Sequence, residues 1–167
     1  PSTYLYEMMM TYCVALNLEN GMLFASDSRT NAGVDHVSTF RKMRVYHKND
    51  DRVIVVLSAG NLATTQSVHS IMEKLISHNQ DEHLLDVSSM YDAAVLLGKT
   101  MVEVQERDAA GFGGSTADIG ASLLLGGQIK GEKPRLFNIY PQGNFIESSP
   151  ETPYFQIGES KYGKPII

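Results

Sequence analysis

The sequence contains a single cysteine, Cys13. One cysteine cannot close a disulfide within the chain, so a disulfide-framed secreted domain is excluded. A cysteine-rich zinc site is excluded too, and none of the five histidines stands at a close metal-ligand spacing. We expect Cys13 to be a small core residue, on the strand face opposite Tyr12.

Long apolar runs and dense basic clusters are also missing. No segment approaches the ~20 apolar residues that a membrane span needs, and residues 1–10 do not read as a signal peptide. The net charge is −5, and the densest basic group is Arg41-Lys42 with Arg44 nearby. These features predict a cytoplasmic protein that binds neither nucleic acid nor membrane.

The apolar pattern predicts one α+β domain in the 167 residues. Asn20-Gly21 is a strong hairpin signal between two strands. The segment over residues 52–58 contains a continuous apolar run, residues 53–57, which is typical of a strand buried on both faces. The predicted strands cover residues 12–18, 22–26, 40–47, 52–58, 119–125, 136–140, 144–147 and 154–157.

Two stretches have helical periodicity, residues 61–78 and 88–107, and Ser88 is the expected N-cap of the second. Residues 108–116, with three glycines, are predicted to form a loop, and Gly126-Gly127 to follow the end of a strand. The histidines at positions 69, 78 and 83 are expected on the surface.

Four residues could carry chemistry at one end of the first sheet. Thr11 opens the first strand, Asp27 ends the second, Lys42 opens the third, and Gly60 lies at a strand-to-helix junction with unpaired backbone N–H groups. A hydroxyl, a carboxylate, an ammonium and an N–H donor are the parts that an amide hydrolase needs. Taken separately, these residues also have structural explanations. Asp27 and Lys42 can be a plain salt bridge, Gly60 a close-packing glycine, and Thr11 an ordinary strand residue.

The strings at residues 11–16, 24–30, 40–42 and 58–63 resemble, in this order, the β subunits of the proteasome. Residues 26–33 and 156–165 are similar to one bacterial group of that family, Anbu, the ancestral beta subunits. The resemblance spans residues 11–167 and implies the αββα sandwich of the Ntn hydrolases. It also implies that a second helical layer is missing after Gly158.

The resemblance implies a threonine peptidase that forms an acyl-enzyme ester and needs no metal or organic cofactor. Thr11 would be the nucleophile and its own α-amine the base; Lys42 would be the nearby cation, Asp27 its partner, and the Gly60 N–H the oxyanion donor. The implied substrate is a peptide or unfolded protein, and the implied partners are further copies in a ring or open ring. Weaker matches place Asn31 and Gly33 at the substrate, and Glu159 and Ser160 as auxiliary residues.

In this family the nucleophile is the first residue of the mature chain, whereas ten residues precede Thr11 here. Residues 1–10 are therefore expected to be a tag, a misplaced start or a propeptide. We favour a start at Met10, because methionine is removed before a small residue. Two other functions stay open: a catalytically silent ring subunit, and an Ntn amidohydrolase acting on a small amide.

Overall fold

Two antiparallel sheets and a layer of helices build the part of the chain that the computed structural model describes, residues 12–28, 30–31, 37–38, 41–111 and 119–158. In chain order the elements are β1 Tyr12–Leu18, β2 Gly21–Ser26, β3 Thr30–Asn31, β4 Val37–Ser38, β5 Met43–Lys48, β6 Arg52–Gly60, α1 Leu62–His78, α2 Met90–Ala110, β7 Ala121–Ile129, β8 Arg135–Ile139, β9 Phe145–Glu147 and β10 Tyr154–Gly158.

The smaller main sheet has the order β10-β1-β2. The hairpin that Asn20-Gly21 predicts is confirmed, with Leu18 paired to Gly21 across the turn. Alternation along β1 turns Cys13 and Ala15 inward, where both are fully buried. The expectation of Cys13 as a core residue is therefore confirmed. β3 and β4 pair with each other in a separate two-stranded sheet.

The larger sheet has the order β5-β6-β7-β8-β9 and is antiparallel throughout. β6 is buried on both faces as predicted, because helices cover one face and the smaller sheet covers the other. Its helix side contributes Ile54 and Val56 to one core, and its other side contributes Leu57 and Ala59 to a second core.

The predicted break at Gly126-Gly127 is wrong, because β7 runs through both residues to Ile129. A Cβ on Gly126 would lie 2.6 Å from the Phe24 ring of the facing sheet, and one on Gly127 would collide with the carbonyl oxygen of Val53. The glycines therefore permit close packing inside a strand rather than ending it.

Both helices are present, with different bounds for the second. The Asn61 side chain caps α1 by accepting a hydrogen bond from the Thr64 N–H at 3.0 Å. The N-cap of α2 is Ser89, which accepts from the Asp92 N–H at 3.0 Å, so the prediction of Ser88 is wrong by one residue. α2 also runs past Arg107 to Ala110, so the predicted loop over residues 108–116 starts too early. Residues 112–116 of that loop lie outside the described residues.

The layers confirm the α+β sandwich: α1 and α2 pack on the larger sheet, and the smaller sheet packs on its opposite face. The implied absence of a second helical layer falls on residues after Gly158, which lie outside the described part. No helix within the described part is long and apolar enough to cross a membrane.

Two of the three histidines expected on the surface are buried. His69 is only 1% exposed, on the face of α1 that packs on β6, and His83 is 6% exposed. Both rings have polar partners, which makes their burial tolerable: His69 meets two hydroxyl groups, and His83 meets the Asn79 side-chain oxygen at 2.7 Å. His78 is exposed as expected.

Candidate active site

The β1–β2 hairpin brings Asp27 beside the start of β1. Asp27 follows β2 directly, and its backbone N–H donates to the Tyr12 carbonyl at 3.1 Å. In return, the Tyr12 N–H donates to Oδ1 of Asp27 at 2.9 Å. That N–H belongs to the peptide group joining Thr11 to Tyr12, so Asp27 binds the residue pair that contains the candidate nucleophile.

The other oxygen of the same carboxylate holds Lys42. Lys42 Nζ lies 2.6 Å from Asp27 Oδ2. Lys42 directly precedes β5, and its carbonyl oxygen accepts from the Ser58 N–H at 3.0 Å, which ties the start of β5 to the end of β6. The structure thus brings Asp27, Lys42 and the first described residue of β1 together, as the sequence predicted.

The Lys42–Asp27 ion pair is unusual in its burial. The lysine side chain is 4% exposed and the carboxylate 33% exposed. Removing an ammonium group from water is costly, and a buried ion pair seldom adds net stability compared with apolar side chains of the same size. Holding a cation at the start of β1 therefore suits a chemical role better than a stabilising one.

Cys13 borders this site without competing for its chemistry. Its thiol donates to the Ser58 carbonyl at 3.6 Å. Burial, and then the negative charge of Asp27, raise the pKa of this thiol to about 12. The thiol stays protonated at neutral pH, so Cys13 is not a nucleophile in the folded protein.

Gly60 ends β6 in a conformation that favours glycine, with φ of 110°. A Cβ there would lie 2.6 Å from the Gly120 carbonyl oxygen and 2.8 Å from Ala121 Cα. The next residue, Asn61, donates its N–H to Gly120 O at 3.1 Å and caps α1. Close packing against Gly120 and Ala121 by itself accounts for a glycine here, and an oxyanion role would be additional.

The remaining predicted site residues are only partly described. Asn31 lies in β3, paired with Val37. Thr11, Gly33, Glu159 and Ser160 lie outside the described residues. Within the described part, no group of three or more histidine, cysteine, aspartate or glutamate side chains could hold a metal ion.

One cluster of buried polar side chains near the site was missed at the sequence level: the Tyr46 and Ser58 hydroxyl groups are each hydrogen-bonded to the His69 ring. A signal was present: position 69 lies one turn from Thr65 and Met72, on the stripe of α1 that faces the sheet. The identity of its hydroxyl partners could not be read from the periodicity of the helix, because they lie on β5 and β6.

The chain is similar to a known protein family and to several solved structures. The chain matches the proteasome subunit family over residues 10–166. It is 59% identical to the solved Anbu (ancestral beta-subunit) from Yersinia bercovieri, with a TM-score of 0.85. The Anbu complex from Pseudomonas aeruginosa, solved as a helical assembly, is 51% identical with a TM-score of 0.85, and Anbu from Hyphomicrobium sp. strain MC1 is 47% identical with a TM-score of 0.78.

Each of these alignments covers 93% of this chain and 64% of the solved chain. The chain therefore spans about two thirds of the length of the Anbu structures that it matches. A comparison with curated proteins found no match. The family match over nearly the whole chain, the close relatives and the Ntn-hydrolase-like sandwich agree: the chain belongs to the proteasome subunit family, in its Anbu group.

Proposed function

We propose that this chain is a threonine-type peptidase subunit that cleaves peptide bonds with Thr11 as its nucleophile. The observation that carries the proposal is the double role of Asp27. One oxygen binds the N–H next to Thr11, and the other binds the buried ammonium of Lys42. A single carboxylate thereby fixes the distance between the start of β1 and a cation.

In the proposed reaction the Thr11 hydroxyl oxygen attacks the carbonyl carbon of the scissile bond, and the hydroxyl proton passes to the α-amine of Thr11. The Lys42 cation favours the neutral amine and lowers the proton affinity of the hydroxyl. An α-amine titrates near ~7.7–8.0, so it can act as a base at neutral pH. The Gly60 N–H would stabilise the oxyanion.

The tetrahedral adduct formed by this attack then collapses and releases the amine half of the substrate. The leaving amine takes up the proton held by the α-amine. The acyl group remains as an ester on Thr11. Water attacks this ester, the carboxylic product leaves, and the Thr11 hydroxyl is restored. Asn31 and Gly33 at the substrate, and Glu159 and Ser160 as auxiliary residues, stay predictions from the sequence.

This chemistry requires Thr11 to be the first residue, because an acylated α-amine cannot take a proton. We propose that the mature chain begins at Thr11 after removal of Met10. The intact mass of the protein from its native host tests this step. A mature chain that still carries residues 1–10 would contradict it.

Self-assembly is part of the proposal. Anbu from Pseudomonas aeruginosa was solved as a helical assembly, and this chain is 51% identical to it. Assembly with further copies of itself is proposed for this chain on that likeness, and the ring or open ring stays a prediction from the sequence. The cytoplasmic location stays a prediction from the sequence.

A peptide β-lactone tests the proposed function. A nucleophilic Thr11 would open the lactone ring and retain the acyl group as an ester, which adds the full mass of the probe. We expect this mass on the peptide that begins at Thr11, and no mass gain in the Thr11→Ala variant. Absence of labelling on a chain shown to begin at Thr11 would favour a silent ring subunit.

A further inference from the structure

Three buried side chains form a hydrogen-bonded chain on the helix side of the larger sheet. The Tyr46 hydroxyl lies 2.8 Å from His69 Nδ1, and the Ser58 hydroxyl lies 2.9 Å from His69 Nε2. Tyr46 comes from β5, His69 from α1 and Ser58 from β6. The network therefore joins two neighbouring strands to the helix that covers them.

His69 is neutral in this network. Burial, and then the positive charge of Arg44, lower the pKa of its imidazole to about 4. A neutral imidazole has one N–H donor and one acceptor nitrogen, and a hydroxyl group can complement either. Both ring nitrogens are thus satisfied without a charge, as burial at this depth requires.

Ser58 connects this network to the candidate active site on the other side of the strand. Its hydroxyl points to His69, while its backbone N–H donates to the Lys42 carbonyl and its carbonyl accepts from the Cys13 thiol. Gly60 follows two residues later, at the end of the same strand. A displacement of Ser58 would therefore move the supports of both Lys42 and Gly60.

We propose that His69 is a positioning residue for the reaction, which acts through Ser58 to hold Lys42 and Gly60 in register with the start of β1. This inference rests on the proposed function. His69 does not touch the reacting atoms; the ring fixes the rotation of the Ser58 side chain and hence the place of its backbone. Positioning of this kind matters because small misplacements of reacting groups slow catalysis strongly.

The two ring nitrogens allow the Ser58 contact to be removed selectively. An asparagine at position 69 places its amide near the former Nδ1 and can still meet Tyr46, but it does not reach Ser58. A glutamine places its amide near the former Nε2 and can still meet Ser58. Both variants lose one buried hydrogen bond, so a role confined to stability would affect them alike.

The test compares His69→Asn, His69→Gln and Ser58→Ala in the chain that begins at Thr11. Arg52→Met is the matched control, since Arg52 opens the same strand at its other end and binds the Leu84 and Val87 carbonyls there. One measurement is the rate constant of β-lactone labelling. The other is hydrogen–deuterium exchange, by mass spectrometry, of the Ser58 and Asn61 amides.

We expect His69→Asn and Ser58→Ala to slow labelling about 10- to 100-fold. Exchange of the Ser58 and Asn61 amides should become about tenfold faster in these two variants, because local opening becomes easier. His69→Gln and Arg52→Met should stay within about threefold of the unmodified chain in both measurements. If His69→Asn does not fold, Ser58→Ala decides the question by itself.

Equal effects of His69→Asn and His69→Gln, or equal effects of Ser58→Ala and Arg52→Met, would overturn the positioning role. If the unmodified chain is not labelled at all, the proposed function has failed instead. Amide exchange then decides whether His69 holds this strand end, since it is measured without any substrate.

Discussion

Lys42 is bound at 2.6 Å by Asp27, the same residue that accepts the Tyr12 N–H on its other carboxylate oxygen. The two residues belong to different sheets, since Asp27 follows β2 of the smaller main sheet and Lys42 precedes β5 of the larger one. A bridge between these positions links the two sheets at one end. The bridge places a positive charge near the start of β1.

Replacing Lys42 with methionine should slow labelling of Thr11 about hundredfold or more, because the cation that favours the neutral amine is gone. Stability should fall by about 1–3 kcal/mol, because the Asp27 carboxylate loses its cationic partner but, at 33% exposed, keeps contact with water. Labelling kinetics and urea unfolding measure the two effects.

Lys99→Met is the matched control, because Lys99 is exposed and lies 4.0 Å from Glu103 on the surface of α2. It should leave labelling unchanged. Asp27→Asn gives a second comparison, since the amide oxygen can still accept the Tyr12 N–H but carries no charge. Labelling of Lys42→Met at the rate of the unmodified chain would exclude a catalytic role for the lysine.

Substituting Gly60 with alanine should destabilise the protein by about 3 kcal/mol or more, through backbone strain and a collision with Gly120 and Ala121. Gly131→Ala is the control, since Gly131 also has a positive φ, of 88°, but open space around its Cβ position. It should cost about 1 kcal/mol, from backbone strain alone. Equal losses in urea unfolding would show that the contact with Gly120 is unimportant.

Acid should destabilise the fold through His69. Its pKa is near 6.5 in the unfolded chain and about 4 in the folded protein, so the unfolded chain binds the proton first as the pH falls. The stability is fully present above pH 6.5 and declines between pH 6.5 and pH 4. From pH 7 to pH 5 we expect a loss of about 2 kcal/mol from this residue.

Urea unfolding of the unmodified chain and of His69→Gln at both pH values measures this loss, because carboxylates titrate equally in the two proteins. The charged group that acts on His69 is Arg44, and both proteins retain it together with its partner Glu73. The pH-dependent loss should be smaller in His69→Gln by the amount given above. The same loss in both proteins would rule out His69 as its source.

Cys13 should resist alkylation in the folded protein. At pH 8 a thiol with a pKa of about 12 is almost entirely protonated, and its sulfur is buried. We expect no iodoacetamide adduct by intact mass within the time that fully modifies the urea-unfolded chain. Stoichiometric modification without urea would show that the inter-sheet core opens readily.

Local signals in the sequence predicted most of the elements that the structure describes, and the meeting of Asp27 with Lys42 at the start of β1. Asn20-Gly21 sets the hairpin, and the hairpin in turn places Asp27 beside Tyr12. The continuous apolar run of β6 indicates that both of its faces are buried. These inferences succeeded because each depends on residues that are close in the sequence.

The errors concern contacts between distant segments. Gly126 and Gly127 look like the end of a strand until Phe24 on the facing sheet and Val53 on the neighbouring strand are known. His69 looks like a surface histidine until Tyr46 and Ser58 are seen on two strands beneath it. Neither partner set follows from periodicity, because sheet order and helix packing decide which side chains meet.

A peptide epoxyketone offered to the chain that begins at Thr11 is the most direct measurement, because the probe can bond both the hydroxyl and the free α-amine of one terminal threonine. We expect one probe mass per chain, located on Thr11, with labelling strongly slowed in Lys42→Met and abolished in Thr11→Ala. A chain proven to begin at Thr11 that gains no mass, or gains it elsewhere, would contradict a threonine peptidase built around Asp27 and Lys42.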